Sequence, residues 1–107
     1  MDIPIQHLIF AFPNYNNNPD ILKTANQTDW YTKVRNDVRE NGIINPLMVE
    51  DMGDGIYKVW IGNTRLAAAY VLGIDILPCV IITDTTPKGL REFRDKTYKK
   101  INIQNGK

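Results

Sequence analysis

The sequence predicts a compact α+β domain in which flanking helices pack on a small mixed sheet. Three observations support this class. Short apolar stretches alternate with helical patterns, Gly, Asn and Pro mark the breaks between them, and one hairpin signal joins two strands. At 107 residues the chain can build one core, so we expect residues 1–107 to form a single domain.

The first element is an apolar stretch over residues 3–12, which predicts a strand confined by Pro4 and Pro13. Residues 14–19 are Asn-rich and end in Pro, a composition typical of a loop. This segment therefore separates the first strand from the rest of the domain.

A helix is expected next, capped by Thr28 or Asp29 and running to about residue 41. Its apolar residues recur at helical spacing and form one stripe: Trp30, Val34 and Val38. We expect Gly42 to end this helix in a left-handed conformation.

A hairpin follows the first helix. Residues 43–50 read as a turn leading into a strand, residues 51–55 as a Gly- and Asp-rich hairpin loop, and residues 56–61 as the returning strand. Gly62 breaks that strand.

The last three elements are a helix, a strand and a second helix. The first helix is expected over residues 64–72 with Gly73 as its stop, and residues 77–82 read as a buried strand. Thr86 and Pro87 predict the cap and first residue of the final helix. Its apolar face comprises Leu90, Phe93, Thr97, Tyr98 and Ile101.

The strand–helix junction at Gly62 is the strongest functional signal. Asn63, Thr64 and Arg65 follow the glycine at once and occupy the first helical turn. Free N–H groups at a helix start attract anions, and an Arg fork matches phosphate oxygens. We therefore expect a solvent-facing phosphate site at these four residues, with Asn45 lining the same pocket.

Each of these residues also has a structural interpretation. Gly62 can serve the turn alone, and Asn63 can be a helix cap. Arg65 can form a surface ion pair with Asp84 or Glu50. Capping and ligand contact use the same N–H groups and can coexist.

Charge is distributed unevenly along the chain. Residues 88–107 carry seven basic and two acidic side chains, whereas residues 1–87 carry six basic and ten acidic ones. A basic helix and tail over residues 86–107 predict contact with nucleic-acid phosphates. The candidate residues are Lys88, Arg91, Arg94, Lys99 and Lys100. A solvated helix face explains the same charges equally well.

Other features limit the chemistry. Cys79 is the single cysteine and lies in an apolar stretch, so we expect a core thiol and no internal disulfide. His7 has no partner at metal spacing, so no metal site is expected. No apolar run approaches the ~20 residues of a membrane helix. The start lacks a secretory pattern, which predicts a cytoplasmic protein without membrane contact.

Three stretches resemble the ParB/sulfiredoxin superfamily, and more narrowly its ParB-like N-terminal domain. They are Asn41–Val49 (NGIINPLMV), Gly55–Ile74 (GIYKVWIGNTRLAAAYVLGI) and Ile76–Ile81 (ILPCVI). The pattern is a helix end with a Gly and Pro, a Gly-containing hairpin, a G-x-x-R-x-x-A-A-x-x-x-G box and a closing strand. The resemblance implies a stand-alone domain of phage or mobile-element type.

The resemblance also implies a site and several activities. Partition proteins of this superfamily bind CTP through the box and clamp DNA, some relatives are nucleases or phosphotransferases, and sulfiredoxins use a box cysteine. By position, Gly62 is the box glycine and Arg65 the phosphate-contacting arginine. Asn63 stands where partition proteins have Glu, and Thr64 where they have Arg.

Those departures decide what is expected here. Without a box cysteine, sulfiredoxin activity is not expected, and without the Glu, hydrolysis of CTP is in doubt. The chain is thus expected to bind a nucleotide or nucleic-acid phosphate, with CTP or ATP and Mg²⁺ as candidate ligands. A nuclease, a phosphotransferase and an inactive interaction module are the alternatives, and turnover and homodimer formation stay open.

Overall fold

A five-stranded mixed sheet with helices against it makes up the part of the chain that the computed structural model describes, residues 1–11 and 29–97. Its strand order is β1-β5-β3-β4-β2. The strands are β1 (Asp2–Pro4), β2 (Leu8–Phe10), β3 (Leu47–Gly53), β4 (Ile56–Ile61) and β5 (Ile76–Ile81). The helices are α1 (Asp29–Asn41), α2 (Asn63–Leu72) and α3 (Pro87–Thr97). The predicted α+β class is confirmed.

The N-terminal segment is two short strands where the sequence predicted one. A 3₁₀ turn, Ile5–His7, separates β1 from β2. β1 pairs antiparallel with β5, and β2 pairs parallel with β4, so the two lie at opposite edges of the sheet. The four residue steps from Pro4 to Leu8 span at most ~14 Å. The sheet must therefore curl to bring its edges together.

One face of the sheet holds the main core. Side chains from the strands, α1 and α2 meet there, among them Leu47, Val59, Leu66, Leu77 and Cys79. Tyr31 of α1 belongs to this core cluster. Val34 and Val38 of the predicted α1 stripe are buried; the side chain of Trp30 lies outside the described set. Small residues over Ala67–Ala69 let α2 pack closely on this face.

Helix ends and the hairpin follow the predicted chemistry. Gly42 and Gly73 adopt φ of +74° and +72°, and the N–H of Gly73 donates to the Ala69 carbonyl. The hairpin turn is shorter than predicted, because β3 continues to Gly53 and only Asp54 and Gly55 form the tip. Both tip residues have positive φ, as a two-residue primed turn requires.

The second face of the sheet is covered in part by α3. Met48 and Ile82 are buried there, with Trp60, Val80 and Leu90 packed against them. β5 alternates between buried and more exposed positions and is not buried throughout, because its second face is only partly covered. Tyr98 and Ile101, predicted for the same helix face as Leu90, lie outside the described residues.

The start of α3 is capped as predicted. The Thr86 hydroxyl accepts the Gly89 amide at 3.1 Å, and Pro87 is the first helical residue. Asp84 reinforces the cap, since its Oδ1 accepts both the amide and the hydroxyl of Thr86, at 3.0 and 2.7 Å. The predicted loop at residues 14–19 and the predicted cap at Thr28 lie outside the described residues.

No helix within residues 1–11 and 29–97 is long and apolar enough to cross a bilayer.

Asp84 should make the stability of the domain depend on pH. Hydrogen bonds from the Thr86 side chain and backbone hold the pKa of its carboxyl below the ordinary value. A lowered native pKa contributes stability above the unfolded value of ~3.9, and that contribution disappears as pH falls through the native pKa. The free energy of unfolding of the wild type, measured in urea, should therefore fall more steeply below about pH 4 than that of Asp84→Asn. Parallel curves for the two proteins would contradict this role.

Candidate functional site

Gly62 forms the junction between β4 and α2 in a conformation that suits glycine. Its φ is +111°, and a Cβ built on it would lie 2.8 Å from Leu47 Cγ and 3.1 Å from Arg65 Nη2. Gly62 is also the N-cap residue, and as a glycine it supplies no side-chain oxygen to the helix start. Leu47 and Arg65 thus lie against the junction at the first turn of α2.

Asn63 starts α2, one residue earlier than predicted, and its side chain points back to the strands. Its Nδ2 donates to the Val59 carbonyl at 3.0 Å, and its Oδ1 accepts the Ala11 amide at 3.3 Å. The prediction that Asn63 caps the helix is wrong, because Gly62 holds the cap position. Asn63 instead joins β4, the end of β2 and α2.

Arg65 is buried, whereas the sequence predicted a side chain that faces solvent. Only 3% of the residue is exposed, and its Nη1 donates to the backbone carbonyl of Asn45. Asn45 is itself 1% exposed. The structure therefore brings these two predicted site residues together, through a backbone oxygen of Asn45. Because a guanidinium stays charged, this contact places a positive charge below the first turn of α2.

The predicted ion-pair partners of Arg65 are engaged elsewhere. Glu50 accepts the Trp60 indole N–H at 2.9 Å, and Asp84 belongs to the cap of α3. The prediction that Arg65 forms a surface ion pair is wrong, since Arg65 is not at the surface.

Thr64 is the remaining side chain of the box. It is partly exposed in the first turn of α2, and that turn carries no acidic residue. A hydroxyl beside helix N–H groups can donate a hydrogen bond to an anion, and no carboxylate in this turn repels that anion.

The basic residues of α3 divide into two groups. Lys88 lies 3.9 Å from Glu92, and Arg94 lies 3.6 Å from Asp95. Arg91 and Lys96 are exposed and form no ion pair with the residues that the structure describes. Lys99 and Lys100, also predicted to contact nucleic acid, lie outside those residues.

The cysteine and the histidine have structural partners. Burial raises the pKa of the Cys79 thiol to about 11, so the thiolate needed of a nucleophile is scarce at neutral pH. His7 donates from Nδ1 to the Gly55 carbonyl at 2.8 Å and joins the first turn to the hairpin tip. Among the described residues no group of three or more His, Cys, Asp or Glu could hold a metal ion.

Sequence reasoning missed the partners that fix the site. The Ala11 amide, the Val59 carbonyl and the Asn45 carbonyl are backbone groups, which every residue type supplies. No sequence pattern distinguishes them. The one available signal is the polar first turn, Asn63, Thr64 and Arg65, of a helix that is otherwise mostly apolar.

Comparison with known proteins gives one family and a set of related folds. The model of the ParB N-terminal domain family matches residues 17–93. No curated protein sequence matches.

Solved structures show the same fold at low identity. The C-terminally truncated chromosome-partitioning protein ParB of Caulobacter crescentus in complex with CTP-γ-S has a TM-score of 0.60 and 21% identity, over 95% of this chain and 55% of that chain. The C-terminally truncated protein in complex with the centromeric parS site has a TM-score of 0.58 and 23% identity, over 87% and 45%. Sulfiredoxin of Arabidopsis thaliana has a TM-score of 0.58 and 21% identity, over 86% and 92%. This chain thus spans about half the length of the truncated partition proteins that it matches.

Gly62→Ala should destabilise the domain more than Gly73→Ala. Both glycines have positive φ, which costs an L residue about 1–2 kcal/mol. A Cβ meets Leu47 at Gly62 but nothing within 4 Å at Gly73. Overpacking should therefore add ~1–3 kcal/mol at Gly62 only. Urea unfolding of both variants measures the difference, and equal losses would show that Leu47 yields without cost.

Arg65→Met should lower the free energy of unfolding by about 1–3 kcal/mol, because it removes the donor to a buried carbonyl. The matched control is Arg91→Met, the same change at an exposed position of α3. Chemical denaturation followed by circular dichroism compares the two. If both variants unfold like the wild type, the Arg65–Asn45 contact contributes little to the fold.

Proposed function

We propose that this chain, which belongs to the ParB N-terminal domain family, binds the phosphate groups of a nucleotide at the start of α2. One observation supports this most strongly. The first turn of α2 begins at Gly62, which has no side chain to cap it, and the buried Arg65 guanidinium lies beside that glycine. A helix start whose cap residue supplies no oxygen, with a fixed positive charge beside it, favours an anion.

The roles of the box residues follow from their contacts. Backbone N–H groups of the first turn donate to phosphate oxygens, and the Thr64 hydroxyl adds a bond from its partly exposed position. Arg65 supplies charge from below, held by the Asn45 carbonyl, and need not reach the ligand by a direct fork. An anion at a helix start gains ~0.3–1 kcal/mol when exposed and ~2 kcal/mol when partly buried.

CTP is the first nucleotide to test, because a ParB of the same fold was solved with CTP-γ-S. ATP and Mg²⁺ remain candidate ligands from the sequence resemblance. At 21% identity the match supports a shared fold, so the identity of the nucleotide is part of the proposal. A role in a cytoplasmic, DNA-related process of phage or mobile-element type belongs to the same proposal and rests on the sequence resemblance alone.

A second candidate function is contact with nucleic-acid phosphates through α3. Arg91 and Lys96 are exposed cations without an ion pair among the described residues. They are thus available to neutralise phosphates, a sequence-independent interaction that salt weakens. A partition protein of this fold was solved on its centromeric site, which supports testing DNA first.

CTP with Mg²⁺ should raise the melting temperature of the wild type. At a concentration ~100-fold above the dissociation constant, a ligand adds roughly 2.7 kcal/mol to stability. Thr64→Val should reduce this shift, because it removes a hydroxyl at nearly constant shape. ATP, GTP and UTP, each with and without Mg²⁺, complete the series in a thermal-shift assay.

Thr97→Val is the matched control, since Thr97 is also a partly exposed helical threonine but lies in α3. It should respond to CTP as the wild type does. The absence of a shift with every nucleotide would overturn the proposed function, and equal responses of the two threonine variants would remove Thr64 from the site.

Arg91→Gln should weaken DNA binding through one lost phosphate contact. Fluorescence anisotropy with a labelled duplex, over a range of salt concentrations, should give a log–log slope smaller by about 0.9 than for the wild type. Arg39→Gln, at an exposed arginine of α1, is the control and should keep the wild-type slope. Identical slopes for all three proteins would exclude Arg91 from a DNA surface.

A further inference from the structure

The side chain of Asn63 makes contacts that a ligand-binding residue would not be expected to make. Both of its polar atoms are directed at the protein backbone, Nδ2 at the Val59 carbonyl and Oδ1 at the Ala11 amide. Val59 lies in β4, and Ala11 directly follows β2. The first residue of α2 is thereby tied to two parallel strands of the sheet.

We propose that Asn63 is a positioning residue for phosphate binding: it aims the N–H groups of the first helical turn at the ligand and does not touch the ligand itself. This inference rests on the proposed function at the start of α2. It reassigns Asn63 from a direct contact, as the sequence suggested, to one that acts through Ala11 and Val59.

The junction needs such an anchor because glycine provides none. Gly62 has a wide range of accessible backbone angles and no side chain to restrain the turn. A usual N-cap side chain would fix the helix start, but its oxygen would occupy one of the N–H groups that a phosphate requires. Asn63 restrains the first turn from the sheet side, and the cap position at Gly62 contributes no side-chain oxygen.

A second tie acts on the same turn. Arg65 donates to the Asn45 carbonyl, so residues 63 and 65 are each bonded to a different part of the chain. Two ties to separate elements fix both the position and the tilt of a helix start. Such accuracy matters for binding, because hydrogen bonds weaken steeply as their angle departs from linearity.

Asn63→Ala should weaken the affinity for CTP with Mg²⁺ about tenfold or more, measured by isothermal titration at 15 °C with the variant verified as folded by circular dichroism. Asn41→Ala, at an exposed asparagine that ends α1, is the control and should bind like the wild type. A tenfold change corresponds to ~1.4 kcal/mol. A lower unfolding free energy with unchanged affinity would show a purely structural role and overturn the inference.

A measurement on the wild type tests the same point without a variant. In ¹⁵N-correlated NMR spectra, CTP should shift the backbone amides of Thr64 and Arg65, while the Asn63 side-chain NH₂ keeps its resonance. A large shift of that NH₂ group would indicate direct ligand contact and refute positioning.

The two proposals fail in different ways. If the wild type binds no nucleotide, the proposed function falls and the role of Asn63 falls with it. If the wild type binds and Asn63→Ala binds equally well, only the positioning role is wrong.

Discussion

The buried Arg65 guanidinium and the Asn45 carbonyl form the contact on which this site depends. It joins the start of α2 to the segment that enters β3, two parts of the chain that are 20 residues apart. Burying a charge is costly unless it is hydrogen-bonded, so the bond both stabilises the fold and retains a cation in a low-dielectric region. Gly62 permits this arrangement, because a Cβ there would press on Leu47 and on the guanidinium.

The two faces of the sheet separate the two candidate functions. α1 and α2 pack on the face that holds the main core, and the proposed nucleotide site lies where α2 begins. α3 packs on the other face through Leu90 and turns its charged residues to solvent. A ligand at α2 and a polyanion along α3 would therefore approach the domain through different helices.

Most of the fold could be predicted because local chemistry determines it. Gly42, Gly73 and the Thr86–Pro87 pair mark helix ends by backbone rules that act within a few residues. The split of the first strand could not be read in the same way, since it depends on pairing with β5 and β4, which lie far along the chain. The junction at Gly62 was found from sequence, but the inward orientation of Arg65 was not. Its hydrogen-bond partner is a backbone oxygen that no residue pattern reveals.

The short edge strands have a consequence for self-association. β1 and β2 are three residues each, and they form the two edges of the sheet. An edge of this length offers few unpaired N–H and C=O groups to a neighbouring chain, which disfavours edge-to-edge polymerisation and the growth of amyloid-like fibrils. The shortness of β1 and β2 thus also disfavours aggregation through the backbone at the edges of the sheet.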